Sequence, residues 1–217
     1  MTRINELNAL SAWIKAIQHI TDKGETFLDN DKRQCQEVQN LSITIQEPQT
    51  INKPLDLLQR TNKWIYPSKE ELSNIMFKEQ PAPIYEYTYG GRIFSYKNLN
   101  QIEEFIIPLL TKDPFSRRAV ISVYDPNTDS CVLNKNTPGM ILIQLLIRKN
   151  QLNLYAVIRS NDIFFGFPAN SYQLYCLQDY LAKKLKTKIG TLTINSISAH
   201  IFLEDKTTIK ELLTLNQ

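Results

Sequence analysis

The residues at 159–170 read RSNDIFFGFPAN and indicate the fold more clearly than any other stretch. The apolar run at 152–158 before them has the composition of a strand, and 170–185 after them carries apolar side chains at helical spacing. Polar groups this close to so much apolar surface must be paired or functional, because an unpaired buried charge is costly. The stretch therefore predicts a strand that ends in a polar site and leads into a helix.

Hydrophobic periodicity predicts further elements on both sides of this stretch. We expect strands at 41–45, 119–124, 140–147, 152–158 and 192–202, and helices at 7–20, 69–77, 99–110, 170–185 and 207–215. Residues 46–68 are rich in proline, asparagine, glutamine and lysine, which predicts a long surface connection. Strands paired in hairpins and mixed with packing helices indicate an α+β fold with a mixed β-sheet. We expect a single domain over residues 1–217.

Composition and charge exclude several classes of protein. A net charge of +3 is too small to indicate nucleic acid or an anionic membrane as a partner. The longest apolar stretch, 140–147, is far shorter than the roughly 20 residues that span a bilayer, and no secretion signal is recognisable. The three cysteines have no CxxC spacing, which predicts reduced thiols in the cytoplasm and no metal site. A Gly-rich phosphate loop does not occur in the sequence, which argues against a Rossmann or Walker site.

Some polar residues are candidate site residues on local grounds. Arg117 and Arg118 open a strand and suit phosphate oxygens by geometry, although a solvated loop end would have the same sequence. Asn170 stands where a helix is expected to begin, so it is either an N-cap or an amide that reads a pyrimidine edge. His200 lies on a strand, where a histidine is either a structural residue or a catalyst. Local patterns leave these alternatives open.

Several segments, taken in order, resemble the thymidylate synthase superfamily, which includes short archaeal-type enzymes and pyrimidine nucleotide hydroxymethylases. The matching stretches are DPFSRRAV at 113–120, PGMILIQ at 138–144, RSND at 159–162, GFPAN at 166–170, SAHI at 198–201, YTYGGR at 87–92 and, more loosely, DKR at 31–33. Their order and spacing cover more than half of the chain. The resemblance implies the thymidylate synthase fold and an obligate homodimer, with a face of the sheet at the dimer interface.

The resemblance also implies roles in binding the phosphate of a nucleotide. Arg159 and Ser160 would hold the 5′-phosphate of the bound pyrimidine nucleotide. Arg117 and Arg118 would reach the same phosphate from the second subunit, because sites in this family are built across the interface. Arg33 would close over the phosphate. The implied activity is folate-dependent transfer of a methyl or hydroxymethyl group.

Four further residues would act at the base, the sugar and the cofactor. Asn170 would read a uracil-type ring, and His200 would contact a sugar hydroxyl. Asp162 would bind the pterin of a tetrahydrofolate derivative such as 5,10-methylenetetrahydrofolate, and Tyr89 would assist proton removal from the base carbon. The family pattern calls for no metal.

One departure from the family pattern concerns the nucleophile. The family has a Pro-Cys step whose thiolate adds to the pyrimidine ring, whereas this sequence has Pro138-Gly139, at the expected 20 residues before Arg159. Glycine supplies no nucleophile, so covalent activation from this position is closed. Cys131 could substitute only if the intervening loop folds back. Phe202 also replaces the tyrosine that usually follows the His-Ile pair.

Three functions remain compatible with the sequence. The first is one-carbon transfer by a non-covalent route, in which a ring with an electron-donating group attacks the one-carbon unit directly and the pocket supplies positioning and proton transfer. The second is a catalytically inactive nucleotide-binding homologue that regulates or partners an active enzyme. The third is an interaction module that retains only the fold. The retained arginines and polar residues argue against the third function.

Overall fold

The structure is a computed structural model that describes residues 2–60, 66–78, 88–133 and 136–215. Its centre is a seven-stranded sheet with the order β1-β3-β7-β6-β5-β4, and β2 pairs with β3 beside this path. The strands are β1 (Thr2–Asn8), β2 (Glu25–Leu28), β3 (Gln34–Glu47), β4 (Val120–Ser122), β5 (Met140–Arg148), β6 (Gln151–Asp162) and β7 (Lys188–Phe202). The pairs β1–β3 and β6–β7 are parallel and the others are antiparallel. The predicted α+β fold with a mixed sheet is therefore confirmed.

Helices pack against the sheet, the first on β1 and β3 and the seventh on β6 and β7. The α-helices are α1 (Ala9–Lys23), α2 (Asn52–Arg60), α3 (Lys69–Phe77), α4 (Tyr89–Phe94), α5 (Ile107–Lys112), α6 (Pro126–Asp129), α7 (Gly166–Lys184) and α8 (Lys206–Leu215). The apolar face of α1 is fully buried, and its Trp13 stacks on Phe164 with ring centroids 6.0 Å apart. The indole Nε1 of Trp13 donates to the carbonyl of Ile163 at 2.7 Å. This contact fixes the loop that joins β6 to α7.

The burial alternation of the central strands shifts near the middle of β3. On β7, the strand that pairs with β3, the buried apolar residues before Ser196 are at even positions, Leu192 and Ile194. After Ser196 they are at odd positions, Ala199 and Ile201. On the paired strand β3, Asn40 adopts a left-handed conformation with φ of 56°. The pairing of β3 with β7 keeps one register on both sides of this residue. The shift gives Ser198 and His200 access to the candidate site.

Several predicted elements are confirmed with small changes of boundary. The helix at 69–77 matches α3, which begins with a capping box between Ser68 and Glu71. The hairpin between β5 and β6 turns at Lys149 and Asn150, both with positive φ, as two-residue hairpin loops require. The helix predicted at 99–110 begins as a π-helix, Gln101–Ile106, and continues directly as α5, with Pro108 in the first turn of α5.

Two predictions about local structure are wrong. Residues 46–68 were expected to form a surface connection, but they contain a 3₁₀ turn, Pro48–Ile51, and α2, and they bury Ile51, Leu55 and Leu58. Asn170 is not an N-cap, because α7 begins at Gly166 and its capping position is Phe165. Residues 61–65 of the predicted connection lie outside the described residues, as does Tyr87 of the motif at 87–92. Among the described residues, no helix has the length and apolar character needed to cross a membrane.

Candidate active site

A cavity of about 300 Å³ lies where β6 ends and α7 begins. Three residues that the resemblance assigns to the base and the cofactor, Tyr89, Asp162 and Asn170, line it together. Its other lining residues are Tyr66, Pro67, Leu72, Ile75, Phe165, Gly166, Ala169 and Gln173. The cavity is therefore bounded by aromatic and aliphatic side chains, with a few polar groups that converge on it. This composition is typical of a site for a small heterocycle.

Asp162 is the acidic group of this cavity. Its Oδ1 accepts the backbone N–H groups of Phe164 at 2.9 Å and Phe165 at 3.2 Å, so the carboxyl orients the turn that enters α7. Burial raises the pKa of Asp162 to about 6, and these two hydrogen bonds oppose the rise. A carboxyl with this pKa exchanges a proton near neutral pH. It can thus accept or donate a hydrogen bond to a bound ring.

Asn170 is held in one orientation by a short chain of side-chain hydrogen bonds. Asn161, which is 1% exposed, donates from Nδ2 to the hydroxyl of Ser196 at 2.9 Å. Its Oδ1 therefore faces the other way and accepts from Nδ2 of Asn170 at 3.2 Å. Among the residues that the structure describes, no other side-chain hydrogen bond of Asn170 is found, so its carbonyl oxygen and second N–H can serve a ligand. An acceptor beside a donor is what the imide edge of a uracil-type ring pairs with.

Gly139 lies beside this cavity at the start of β5. A Cβ built on Gly139 would be 3.9 Å from the hydroxyl of Tyr89 and 3.5 Å from the carbonyl oxygen of Ser160, both ordinary contact distances. The carbonyl of Gly139 accepts the backbone N–H of Arg159 at 2.8 Å. A side chain at position 139 would therefore lie next to the tyrosine hydroxyl, and glycine supplies no thiol there. Cys131 is exposed, and Cys176 is partly buried on α7.

The guanidinium of Arg159 is turned towards the segment before Gly139. Its Nε donates to the carbonyl of Pro138 at 3.0 Å, and its Nη2 donates to the carbonyl of Thr137 at 3.0 Å and to the Thr137 hydroxyl at 2.8 Å. Arg159 itself is exposed. Arg159 thus holds the backbone of residues 137–138, directly before Gly139, and its exposed guanidinium lies at the rim of the site.

A second cavity of about 450 Å³ contains the predicted phosphate and sugar contacts Ser160 and His200. Its other lining residues are Phe27, Leu28, Asp29, Asn30, Cys35, Glu37, Ser198 and Phe202. Burial lowers the pKa of His200 below its usual value, although the charge of Glu37 and hydrogen bonding to the Ser198 backbone oppose the shift. Burial therefore favours the neutral form of the His200 imidazole. The ring of Phe202 stands edge-on to it at 5.2 Å.

Arg33 lies at the rim of the same region. Its guanidinium carbon is 3.3 Å from the centroid of the Phe202 ring, and its Nη2 forms an ion pair with Glu204. Arg33 also lines a smaller cavity of about 220 Å³ with Tyr66, Phe165 and Asp205. An exposed ion pair of this kind is weak. The guanidinium can therefore exchange Glu204 for a ligand anion at little cost.

Arg117 and Arg118 lie away from Arg159 within one chain. The carbonyl of Arg117 accepts Nε2 of Gln144 at 3.0 Å. Gln144 is five residues along β5 from Gly139, which is about 17 Å in an extended strand. Both arginines are exposed. Within a single chain, therefore, Arg117 and Arg118 do not lie beside Arg159.

Some lining residues were not anticipated from the sequence. Tyr66 donates its hydroxyl to the carbonyl of Phe165 at 2.6 Å, and the two rings lie 6.4 Å apart as an aromatic wall. Gln173 is 3% exposed and follows Asn170 by one helical turn. That spacing was a usable signal for Gln173, since residues three apart share a helix face. Glu37 pairs with His200 only through the sheet register, which the sequence does not reveal.

The fold and the two cavities define an α+β protein with a heterocycle-sized site at the ends of its central strands. The family model described as thymidylate synthase matches residues 61–217. A protein of Methanosarcina barkeri with the name "Putative thymidylate synthase" is 32% identical over 194 residues, which is 89% of this chain and 86% of that protein. The chain therefore belongs to the thymidylate synthase family.

Two further curated relatives bear the same name. The protein of Methanococcoides burtonii is 30% identical over 202 residues, covering 93% of this chain and 90% of its own length. The protein of Methanocaldococcus jannaschii is 29% identical over 211 residues, covering 94% of this chain and 92% of its own length. Membership places this chain among thymidylate-synthase-like transferases, whose family in general uses a nucleotide substrate and a folate cofactor. Within the described residues, no cluster of histidine, cysteine and carboxylate side chains could hold a metal ion.

Proposed function

We propose that this protein binds a pyrimidine nucleotide with a uracil-type base and transfers a one-carbon unit from a reduced folate to it without a covalent cysteine adduct. One observation carries the proposal. Tyr89, Asp162 and Asn170 line a common cavity, while the position of the missing nucleophile, Gly139, faces the Tyr89 hydroxyl at contact distance. The site has side chains that would bind the base and the cofactor and exchange a proton with the base, but it lacks the thiol.

The base would be positioned by the amide of Asn170, whose orientation is fixed by Asn161. Without covalent activation, the ring must carry its own electron-donating substituent, so the pocket contributes orientation and proton transfer. The Tyr89 hydroxyl lies beside position 139, within reach of a ring held there. It is the group that would exchange a proton with the base carbon, as general acid–base catalysis requires.

A folate fits the other residues of the cavity. The rings of Tyr66 and Phe165 provide an aromatic wall, and Asp162 offers a carboxyl that can pair with the donor edge of a pterin. A bound reduced folate would supply the one-carbon unit, with 5,10-methylenetetrahydrofolate as the expected form. The residues of this chain would hold the pterin and exclude water from it.

The phosphate would be held by Arg159, Ser160 and Arg33, with Arg117 and Arg118 contributed by a second copy of the chain. Arg33 can leave its exposed pair with Glu204, and the separation of Arg117 from Arg159 within one chain calls for a partner. A suitable face exists, because the residues of β5 and β6 that alternate with the buried core are only half-buried. We therefore propose a homodimer, in the cytoplasm, with this sheet face at the interface.

Thermal shift and isothermal titration calorimetry test the proposal. Pyrimidine nucleoside monophosphates should raise the Tm of the wild-type protein by mass action, and tetrahydrofolate should raise it further in the presence of nucleotide. Arg159→Gln should remove the nucleotide effect. Arg148→Gln is the matched control, because that guanidinium contacts only the carbonyl of Ile147 at the far end of β5 among the described residues.

The outcomes separate the hypotheses. Synergy between nucleotide and folate, with transfer of labelled carbon from 5,10-methylenetetrahydrofolate to a nucleotide whose ring carries an electron-donating substituent, supports the transferase. Stabilisation by nucleotide alone, without carbon transfer, assigns the protein to the inactive nucleotide-binding class instead. No response to either compound by a folded protein overturns the proposed function.

A further inference from the structure

A buried glutamine in the main cavity has no role in the proposed function. Gln173 lies on α7 and lines the cavity of about 300 Å³ together with Asn170. It is 3% exposed, and among the residues that the structure describes no hydrogen bond of its side-chain amide is found. A buried amide without a hydrogen-bond partner is costly, and most such groups in native proteins have one. Because Gln173 lines the cavity, a bound ligand is a partner within its reach.

A second buried glutamine on the same helix shows how this fold satisfies such a group. The Nε2 of Gln178 donates to the carbonyl oxygens of Leu152 at 2.7 Å and Thr191 at 3.1 Å. The side chain of Gln178 thus ties α7 to β6 and β7. Gln173 makes no comparable contact within the described part of the chain, so the packing of the protein does not account for a polar residue at its position.

The position of Gln173 along α7 indicates the base rather than the cofactor as its partner. Gln173 follows Asn170 by three residues, so the two side chains share a helix face about one turn apart. Phe165, part of the aromatic wall for the pterin, precedes Gln173 by eight residues, which is about 12 Å along a helix axis. Leu72 and Ile75 of α3, which also line the cavity, offer no polar group. Gln173 therefore belongs to the end of the cavity where the base would be read.

We infer that Gln173 binds the nucleotide base beside Asn170, donating from Nε2 to the ring oxygen that pairs with the second N–H of Asn170. The inference rests on the proposed function and adds a base-contacting residue to it. A carbonyl oxygen has two lone pairs, so one ring oxygen can accept from both amides. The two amides form a row along one face of α7, and the aliphatic side chains around them exclude water from this contact.

A residue kept for a ligand has a different energetic signature from a structural residue. Replacing a buried polar group that has no partner in the protein by an apolar group of similar size is nearly neutral or stabilising. The same substitution removes a hydrogen bond from the complex, so it weakens binding. The affinity for nucleotide should therefore fall when Gln173 is replaced, while the stability of the unliganded protein does not. A structural glutamine such as Gln178 should show the reverse.

The test combines calorimetry with 2′-deoxyuridine 5′-monophosphate and thermal unfolding of the unliganded protein. Gln173→Met keeps the length of the side chain and removes the amide. It should raise the dissociation constant of the nucleotide about tenfold, the value of one lost hydrogen bond, and should not lower the Tm. The affinity for tetrahydrofolate at saturating nucleotide should stay within about threefold of wild type. Gln173→Leu should behave in the same way and serves if the methionine variant does not fold.

Gln178→Met is the matched control, because it removes a satisfied amide from the same helix outside the cavity lining. It should lower the Tm by about 5 °C and leave the nucleotide affinity unchanged. Unchanged nucleotide affinity in the Gln173 variants, a Tm loss like that of the control, or weakened folate binding with unchanged nucleotide binding overturns the assignment of Gln173 alone. Failure of the wild-type protein to bind the nucleotide overturns the proposed function as well.

Discussion

Tyr89 and Gly139 face each other across the candidate site, since a Cβ on Gly139 would lie 3.9 Å from the tyrosine hydroxyl. The backbone at position 139 is held by the Arg159 N–H bond to its carbonyl at 2.8 Å. Position 139 therefore has room for a side chain beside the tyrosine hydroxyl, as the proposed role of a vacant nucleophile position requires. This relationship can be tested by restoring the thiol.

Gly139→Cys should give a folded protein that forms a covalent adduct with a 5-fluoropyrimidine nucleotide. The nearest contact of the new Cβ, 3.5 Å to the Ser160 carbonyl, is unstrained, so the free energy of unfolding should change by about 1 kcal/mol or less. Intact-mass spectrometry should show one nucleotide per chain. The wild-type protein, which contains the other three cysteines, is the control. A folded variant without adduct would contradict the assigned role of this position.

Asn170→Asp should change the preference between uracil and cytosine. A carboxylate at this position would face Oδ1 of Asn161, 3.2 Å from the present amide nitrogen, and two acceptors at that distance repel. We expect uracil nucleotides to bind about tenfold more weakly and cytosine nucleotides to gain relative affinity, measured by calorimetry. Asn127→Asp adds the same charge on exposed α6 and should change neither affinity. Unaltered uracil affinity in the Asn170 variant would exclude this residue from base recognition.

Asp162→Asn should make the protein more stable at neutral pH and remove a pH dependence of stability. The folded-state pKa is raised from 3.8 to about 6, so the protonated carboxyl is favoured in the native protein. The contribution of this carboxyl to the free energy of unfolding is fully present below about pH 4, where it is protonated in both states. The contribution is lost as the pH rises through about 6. The amide still accepts the Phe164 and Phe165 N–H groups, so the variant should gain about 1–3 kcal/mol over wild type at pH 7.5.

Urea unfolding at pH 4.5 and pH 7.5 measures this difference. The advantage of the variant should be small at the lower pH and grow at the higher one. An advantage of the same size at both values would contradict the burial of an ionisable carboxyl at this position. Folate binding should be lost in the variant, because the carboxyl is the expected partner of the pterin.

Local sequence signals were sufficient for elements whose stabilising contacts are close in the chain. The α3 helix has its capping box within four residues, and the β5–β6 hairpin has its turn at Lys149 and Asn150. Strand β1 was missed because its partner β3 lies about 40 residues away and its residues alternate only between half-buried and exposed. Helix α2 was missed because its polar composition conceals the few residues that it buries, Leu55 and Leu58 among them.

The resemblance selected residues that line one cavity, but it did not reveal the interactions between them. Motif resemblance identified Tyr89, Asp162 and Asn170, and the fold brings these three to one cavity. The pairing of Arg33 with Glu204 joins residues 171 positions apart, which no local pattern encodes. The raised pKa of Asp162 depends on burial, which requires the packed structure. Long-range contacts of this kind account for most of what the sequence did not reveal.

Arg92 and Asp129 form a buried ion pair. Removing one partner should destabilise the protein more than replacing both partners with apolar residues. The guanidinium donates to both carboxylate oxygens, at 2.8 and 3.3 Å, and the residues are 7% and 3% exposed. The pair connects α4, which carries Tyr89, to α6, which precedes the segment leading to Gly139.

Asp129→Asn should lower the free energy of unfolding by about 3–5 kcal/mol, because it removes the carboxylate charge to which the buried Arg92 guanidinium donates two hydrogen bonds. The double variant Arg92→Met, Asp129→Leu should lose clearly less, since apolar residues of similar volume remove both charges together. Urea unfolding of the single and double variants measures this coupling. Lys97→Met, which breaks an exposed pair with Asp125, is the control and should cost at most about 1 kcal/mol. Equal losses in the single and double variants would show that the cost arises from packing rather than from the unpaired charge.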